Sequence, residues 1–305
     1  LSNHDRQARL VAMAAEVRPE LHRYCARLMG SVIDGEDVVQ DTVLRALVAL
    51  QDLEEVPPLR PWLFRVAHNR ALDLLRGRSV RHAEPLDLAP EVADTGHPDP
   101  LEILMRQDAV NTAVSRFLDL PVFQRSVVVL KDVLDESLTE IATLLDLSVD
   151  AVKAHLARGR ARLRHINAQR GPSLDVRPPS ADVSRYVALF NRRDWDALRS
   201  LLADDVKLSQ SAHSLRVGRA EVGMFFTFYA QSPEVWLAPA WLAGQEVIAV
   251  FENRTDAKPS YMMWLEWVDG RIKFIRDYRY VRYVVAEAEL SWPQHVPPAD
   301  EGPGH

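Results

Sequence analysis

Cysteine is almost absent from this chain: Cys25 is the single one among 305 residues. No internal disulfide can form, and the usage fits a reducing cytoplasm. Cys25 sits among apolar helical positions, which predicts a small buried hydrophobe rather than a nucleophile. Long apolar runs are absent as well; none approaches the ~20 residues a membrane span needs. The first residues, LSNHDRQARLVAMAAEV, lack the charged-then-apolar layout of a signal peptide, so a cytoplasmic protein without a membrane partner is expected. Walker loops, zinc-ligand clusters and nucleophile-base motifs are missing. His155, His165 and His213 stand apart without metal spacing, and no metal, cofactor or catalytic residue is expected in what reads as a non-enzymatic chain. A net positive charge is lacking too: the formal charge is -6 and the pI near 6.0, which excludes a uniformly basic nucleic-acid coat.

Positive charge is nevertheless present in blocks. Residues Arg60 to Arg81 hold six arginines against one aspartate, and Lys153 to Arg170 hold six basic residues and no acid, while Asp34 to Asp41 is acidic. Two basic surfaces and one acidic surface follow. Apolar residues make up 47% of the chain, enough for a sizeable core in two or three domains.

The first 76 residues have helical periodicity. A stripe through Leu10, Val17, Leu21, Tyr24 and Leu28 is interrupted near Pro19, and a turn at Gly30 to Gly35 leads into a second helix with Val39, Val43, Ala46, Leu47 and Leu50 on one face. Its other face carries Asp37, Asp41, Leu44 and Arg45, with Gln40 at the edge. Pro57, Pro58 and Pro61 precede a third helix, Trp62 to Arg76. There Arg65, His68, Asn69, Asp73 and Arg76 form a polar arc opposite an apolar one. Such an arc suits unstacking and holding single-stranded DNA, and it equally suits an ordinary amphipathic helix.

From Gly77 to Pro100 the periodicity stops in an acidic, proline-punctuated stretch that reads as a flexible linker. Helices resume at Leu101 to Leu118 and again after Leu120-Pro121. They lead into LTEIATLLDLSVDAVKAHLARGRARLR, residues 138 to 164: a short helix, a turn with an N-cap at Ser148, and a second helix, the grammar of a helix-turn-helix. In that second helix Val149, Val152, Leu156 and Leu163 line one stripe, and Lys153, Ala154, His155, Arg158 and Arg162 lie outside it. A basic helix whose apolar stripe is already committed to packing fits the major groove; a solvated surface helix is the alternative.

Beyond Gly171-Pro172 and Pro178-Pro179 the composition changes, and six of the seven tryptophans lie past residue 180. Helices are expected at Val183 to Asn191, Trp195 to Leu202 and Gly218 to Ala230. Strands are expected at Val206 to Gln210, Val235 to Trp241, Val247 to Glu252, Tyr261 to Val268 and Ile272 to Val284, with a hairpin turn at Asp269-Gly270. The layout is α+β, a curved sheet wrapping helices. Asp277 and Asp205 are the visible carboxylates for catalysis. Arg276 and Arg279 beside Asp277 point instead to a structural ion pair. Trp236, Trp241, Tyr261, Trp264, Phe225, Phe226 and Tyr229 could fill a core or line a pocket for a small apolar ligand.

Three stretches in order, DGEDVVQDTVLRAL at 34 to 47, PWLFRVAHNRALDLLR at 61 to 76 and LTEIATLLDLSVDAVKAHLARGRARL at 138 to 163, resemble a bacterial sigma-70-type RNA polymerase sigma factor of the extracytoplasmic-function group. The resemblance implies two all-α sigma domains. Domain two, 1 to 82, would meet core polymerase through Asp37, Gln40, Asp41 and Arg45, and the minus-ten DNA through Arg65, His68, Asn69, Asp73 and Arg76. After a linker, 83 to 100, domain four, 101 to 170, would meet minus-35 promoter DNA through Lys153, Ala154, His155, Arg158 and Arg162. The family often has Ser-Arg where Ala154-His155 stand here, so its promoter preference does not carry over. YVALFNRRDWDALRSLLADDV at 186 to 206, GRAEV at 218 to 222 and GRIKFIRDYRYVRYV at 270 to 284 resemble the SnoaL-like, nuclear-transport-factor-two-like cone. This implies a linker at 171 to 180, a regulatory α+β cone with a curved mixed or antiparallel sheet at 181 to 290 that contacts the sigma domains of its own chain, and a disordered tail at 291 to 305.

Two other readings stay open at this point. LSVDAVKAHL also resembles the helix-turn-helix of response regulators, which implies a stand-alone, ligand-responsive transcription regulator. SnoaL-like cones also act as cyclases and isomerases, which implies an enzyme with a DNA-binding accessory.

Overall fold

The computed structural model describes residues 3–53, 55–79, 106, 109–110, 112–169, 178–211, 213–242 and 244–293. The expected linker between the helical segments, the helix at 101 to 118 in its first part and the tail lie largely or wholly outside them. The chain forms two compact units, Leu1–Ser173 and Leu174–His305.

The first unit is helical. Helix α1 (Asn3–Met29) runs through Pro19 where the sequence suggests an interruption. It ends at Gly30, whose φ of +68° only glycine adopts without strain. Ser31 then caps α2 (Val32–Asp52) by accepting from the Asp34 backbone N–H at 3.2 Å. Glu36, almost wholly buried on α2, pairs with Arg18 of α1 at 2.5 Å, which fixes the α1–α2 hairpin. Helix α3 (Leu59–Ser79) follows the prolines. A 3-10 turn (Val114–Asp119) and α4 (Val122–Val128), prolonged by a π turn (Val129–Val133), lead to α5 (Leu138–Leu145) and α6 (Val149–Gln169). Gly159 lets α6 approach α4 closely, because a Cβ there would run into Val128.

One contiguous apolar cluster joins all of these segments. Leu21, Tyr24 and Leu28 of α1 and Phe64 and Ala67 of α3 share it with Phe117, Val127, Ile141, Val152 and Leu163. A smaller cluster of Leu10, Val17, Ala46, Leu50 and Leu63 closes the far end of the α1–α2–α3 bundle.

The second unit comprises α7 (Ala181–Asn191), α8 (Trp195–Ser200), β1 (Leu202–Gln210), β2 (Arg216–Val217), α9 (Arg219–Ala230), β3 (Trp236–Leu242), β4 (Gln245–Phe251), β5 (Tyr261–Val268), β6 (Arg271–Asp277), α10 (Tyr283–Ala286) and β7 (Leu290–Ser291). The strands form one seven-stranded sheet in the order β2-β1-β6-β5-β4-β3-β7. Only β1 and β6 pair in parallel. The β5–β6 hairpin turns at Asp269-Gly270, both at positive φ, as a two-residue turn matched to sheet twist requires.

Two expectations are corrected here. The curved cone gives way to an open sheet that does not close: its edges are β2 and β7, at opposite ends of the order and two residues long each, so they have no ladder to offer one another. The expected strand at 272 to 284 stops at Asp277. There the Arg279 N–H turns back to the Asp277 carboxylate at 3.1 Å, and the chain leaves the sheet for α10.

Candidate functional site

On α2, Asp41 lies between two guanidiniums. Arg45 reaches it at 3.2 Å one turn along the helix, and Arg70 of α3 pairs with it from the side. Leu44 and Val48, 63% and 66% exposed, continue the same face, while Asp37 and Gln40 are half-buried near Glu36, to which Gln40 donates at 3.4 Å. The face is therefore an apolar strip edged by carboxylates, of which Asp41 is paired with two arginines.

The α3 arc is less uniform than its helical spacing suggests. Arg65, Asn69, Asp73 and Arg76 are exposed, with Asp73 and Arg76 within 3.7 Å of each other. His68 is buried. Its Nδ1 shares a hydrogen bond with the Tyr24 hydroxyl at 2.7 Å, and burial pushes its pKa down to about 4, so the imidazole is neutral. Arg65 donates to the Thr143 carbonyl of α5 at 3.0 Å.

The helix-turn-helix is built as its sequence requires. Ser137 and Glu140 form a reciprocal capping box at the start of α5. Asp146 takes the left-handed conformation that ends it, and Ser148 caps α6 by accepting from Ala151 N–H at 3.1 Å. Val152, Leu156, Leu163 and Ile166 are buried, whereas Val149 is partly exposed. Arg160, one of the basic residues of α6, is committed inward: its Nε and Nη2 donate to both oxygens of the buried Asp132 at 3.0 and 2.6 Å. Lys153, Ala154, His155 and Arg158 are half-buried and Arg162 is exposed. His155 lies 3.5 Å from Arg158, and burial lowers its pKa.

Sequence reasoning missed Phe123 and Arg125. Phe123, at the start of α4, sets its ring 6.4 Å from His68 and 5.8 Å from His155. It thereby bridges the α3 arc and α6. The signal was an aromatic outside the Val127, Val128, Leu130 stripe of its own segment. Arg125 is buried and donates to the carbonyls of Leu28, Leu118 and Leu120, joining α4 to the end of α1.

In the second unit Asp277 is fully buried, and it is held differently from the arginine pair expected. Gln210 of β1 donates to one oxygen at 2.7 Å and the Arg279 backbone N–H to the other, while the Arg279 guanidinium stacks over Phe228 at 3.5 Å. Burial pushes the Asp277 pKa up to about 6 despite these donors. Around it lie Tyr186, whose buried hydroxyl has no hydrogen-bond partner among the described residues, and Tyr229 and Tyr261, hydroxyl to hydroxyl at 2.8 Å. Phe225, Phe226, Tyr229 and Tyr261 belong to the apolar core, Trp236 stacks on Phe251 at 4.3 Å, and Trp264 packs near Phe274. Asp205 is exposed and paired with Lys273 at 2.5 Å. Among the described residues no group of three or more His, Cys, Asp or Glu could hold a metal, and no helix is long and apolar enough to cross a membrane.

Comparison with known proteins gives this architecture a family. The Sigma-70 region 2 profile matches residues 13–81, the Sigma-70 region 4 profile residues 117–163 and the SnoaL-like domain profile residues 183–275. The RNA polymerase sigma factor CnrH of Cupriavidus metallidurans is 38% identical over 137 residues, covering 43% of this chain and 71% of CnrH. The extracytoplasmic-function sigma factor SigG of Mycobacterium tuberculosis is 32% identical over 222 residues, covering 65% of this chain and 60% of SigG. The chain thus matches less than two thirds of the length of SigG. The crystal structure of the M. tuberculosis sigma factor SigJ is similar at 24% identity over 88% of this chain and 95% of that one, with a TM-score of 0.34. The chain belongs to the extracytoplasmic-function group of sigma-70 factors and carries a SnoaL-like domain.

The same comparison corrects the expectation of a chain without enzymatic activity. Residues 183–275 match the SnoaL-like domain profile, so the non-enzymatic expectation does not extend to them. Similar solved structures include a candidate ketosteroid isomerase from Kribbella flavida, at 20% identity over 39% of this chain and 81% of that one, with a TM-score of 0.26.

Proposed function

We propose that this chain is a promoter-specificity subunit. Its segment 1 to 82 docks on core polymerase through Asp37, Gln40, Asp41 and Arg45 and holds melted minus-ten DNA on the α3 arc of Arg65, His68, Asn69, Asp73 and Arg76. Its segment 101 to 170 reads minus-35 duplex through Lys153, Ala154, His155, Arg158 and Arg162. The SnoaL-like segment at 181 to 290 acts in cis on the other two.

The observation that carries this reading is the sequence of faces along one chain. An acid-edged apolar strip on α2 precedes an arginine-bearing arc on α3 and then a basic helix α6 capped by Ser148. A stand-alone repressor has use for the last alone. The deciding experiment is promoter-dependent transcription with core polymerase, comparing the full chain with one ending at Arg170. Initiation by the full chain supports the reading, and the difference between the two gives the sign of the cis effect; duplex binding without initiation by either favours the repressor. Asp41→Arg should weaken core binding, and Arg158→Ala should weaken promoter binding with core binding intact.

A second reading concerns the SnoaL-like unit. The unpartnered Tyr186 hydroxyl beside Asp277 favours a small, largely apolar molecule with one polar group. A buried phenol left without a partner costs about 1–3 kcal/mol, which a ligand oxygen would relieve. Native mass spectrometry of the full chain purified from its source cell tests this: a bound mass lost in Tyr186→Phe supports it, and no bound mass removes it.

A further inference from the structure

We propose that α9 carries an interaction surface for a second copy of this chain, and that two copies pair there about a two-fold axis beside Met224. The proposal stands apart from the sigma-factor reading and uses none of the residues assigned to polymerase or DNA.

One face of α9 is spent on the core of the second unit through Val222, Phe225, Phe226 and Tyr229. The opposite face of such a helix is ordinarily polar. Here Met224 is 53% exposed and Phe228 43%, with exposed Ala220 before them and Thr227 between them. Positions 220, 224, 227 and 228 fall at helical spacings of three and four, so they form one continuous stripe. Strand β2, which leads straight into α9, adds exposed Leu215 and Val217. Tyr280, whose ring lies 4.2 Å from that of His213, is exposed as well. Single exposed apolar residues need no explanation, but Met, Phe, Tyr and Arg together have the composition of an interface centre.

Two charges select the partner. Arg279 lays its guanidinium on the Phe228 ring at 3.5 Å, and among the described residues no carboxylate pairs with it; only its backbone N–H is spent, on Asp277. Glu221 is exposed on the same face of α9 and forms no ion pair among the described residues. Seven residues of helix, ~10 Å, separate Glu221 from Phe228, so the two charges are held apart within one chain. When two α9 helices cross antiparallel with the axis beside Met224, position 221 of each copy lies opposite position 228 of the other. Each Glu221 then meets the guanidinium resting on Phe228 of the partner copy, and both ion pairs form at once, as an isologous contact requires. Parallel pairing would set Glu221 against Glu221. The apolar stripe supplies the driving force and the charges supply register. With a helix of 12 residues at its centre the surface is at the small end of specific interfaces, so pairing is reversible with concentration.

Sedimentation velocity of the full chain through the micromolar range tests the pairing. The parent, 34.5 kDa, should move toward twice its mass as concentration rises. Met224→Glu should stay at the single mass with its melting temperature unchanged, because the position is exposed. Glu221→Arg sets arginine against arginine and Arg279→Glu sets glutamate against glutamate, so each alone should weaken self-association roughly tenfold or more. Mixed in equal amounts, these two variants should recover the pair, since each then offers the charges the other needs. Misfolded chains would not rescue one another in this way. A parent that stays at the single mass throughout overturns the proposal and leaves the stripe to another protein or to a segment of this chain outside the described residues. Variants that self-associate like the parent, or a mixture no better than its components, overturn α9 as the surface.

Discussion

His68 and Asp277 are buried titratable groups with opposite consequences for pH. Burial depresses His68 to about 4, below the ~6.5 of a free imidazole. The stability it contributes is present above the unfolded value and lost as pH falls from ~6.5 through about 4. Burial raises Asp277 to about 6, above the ~3.9 of a free carboxyl. Its contribution is full below the unfolded value and lost as pH rises through about 6. Each shift corresponds to roughly 3 kcal/mol. Hydrogen exchange on the full chain, corrected for intrinsic rates, should show α3 opening more readily at pH 5 than at pH 7.5 and β6 opening less readily. His68→Gln and Asp277→Asn should flatten the respective profiles; parallel pH trends in both segments would contradict the assignment. Asp132 tests a different quantity. Removing it in Asp132→Ala leaves the inward-facing Arg160 guanidinium without its carboxylate, a loss of roughly 3–5 kcal/mol that chemical denaturation should register in the first unit.

The helices of the first unit were legible because apolar spacing, caps and prolines agree at each boundary. LTEIATLLDLSVDAV spells out a capping box, a left-handed stop and a second cap in order. Ser137→Ala should therefore cost about 1 kcal/mol, read as a lower melting temperature of the first unit, with Ser137→Asn largely restoring it. Pro19 was misleading because a proline inside a helix is tolerated when packing on both sides overrides the lost hydrogen bond. Here Val17 and Leu21 are both buried. His68 was placed on a polar arc by spacing alone, since nothing local to α3 announces that Phe123, 55 residues further on, will cover it. The sheet of the second unit was readable strand by strand, including its Asp269-Gly270 turn. Its openness was not, because β2 and β7 are two residues long and shorter than any alternation can mark. The partners of Asp277 were likewise hidden: Arg279 meets it through its backbone N–H rather than its guanidinium, and the side chain that donates to it, Gln210, is on another strand.

At the scale of the whole molecule, the first unit holds one apolar cluster contributed from Leu21 to Ile166, so the segments matching sigma regions 2 and 4 should lose structure together. Calorimetry of the full chain should show both in a single transition, and peptides of α1 and α6 should become exchange-competent at the same denaturant concentration. Two separate midpoints would show that the shared cluster does not couple them. The cluster also has a bearing on how the protein is made. The inner face of α1, with Leu21, Tyr24 and Leu28, is synthesised well over a hundred residues before Leu163 and Ile166, which complete the cluster it belongs to. At a bacterial elongation rate that interval is roughly 7 to 30 s, during which Val38, Val39, Phe64 and Ala67 of α2 and α3 can cover the helix only in part, which makes the half-covered nascent chain a natural client for a chaperone at the exit tunnel.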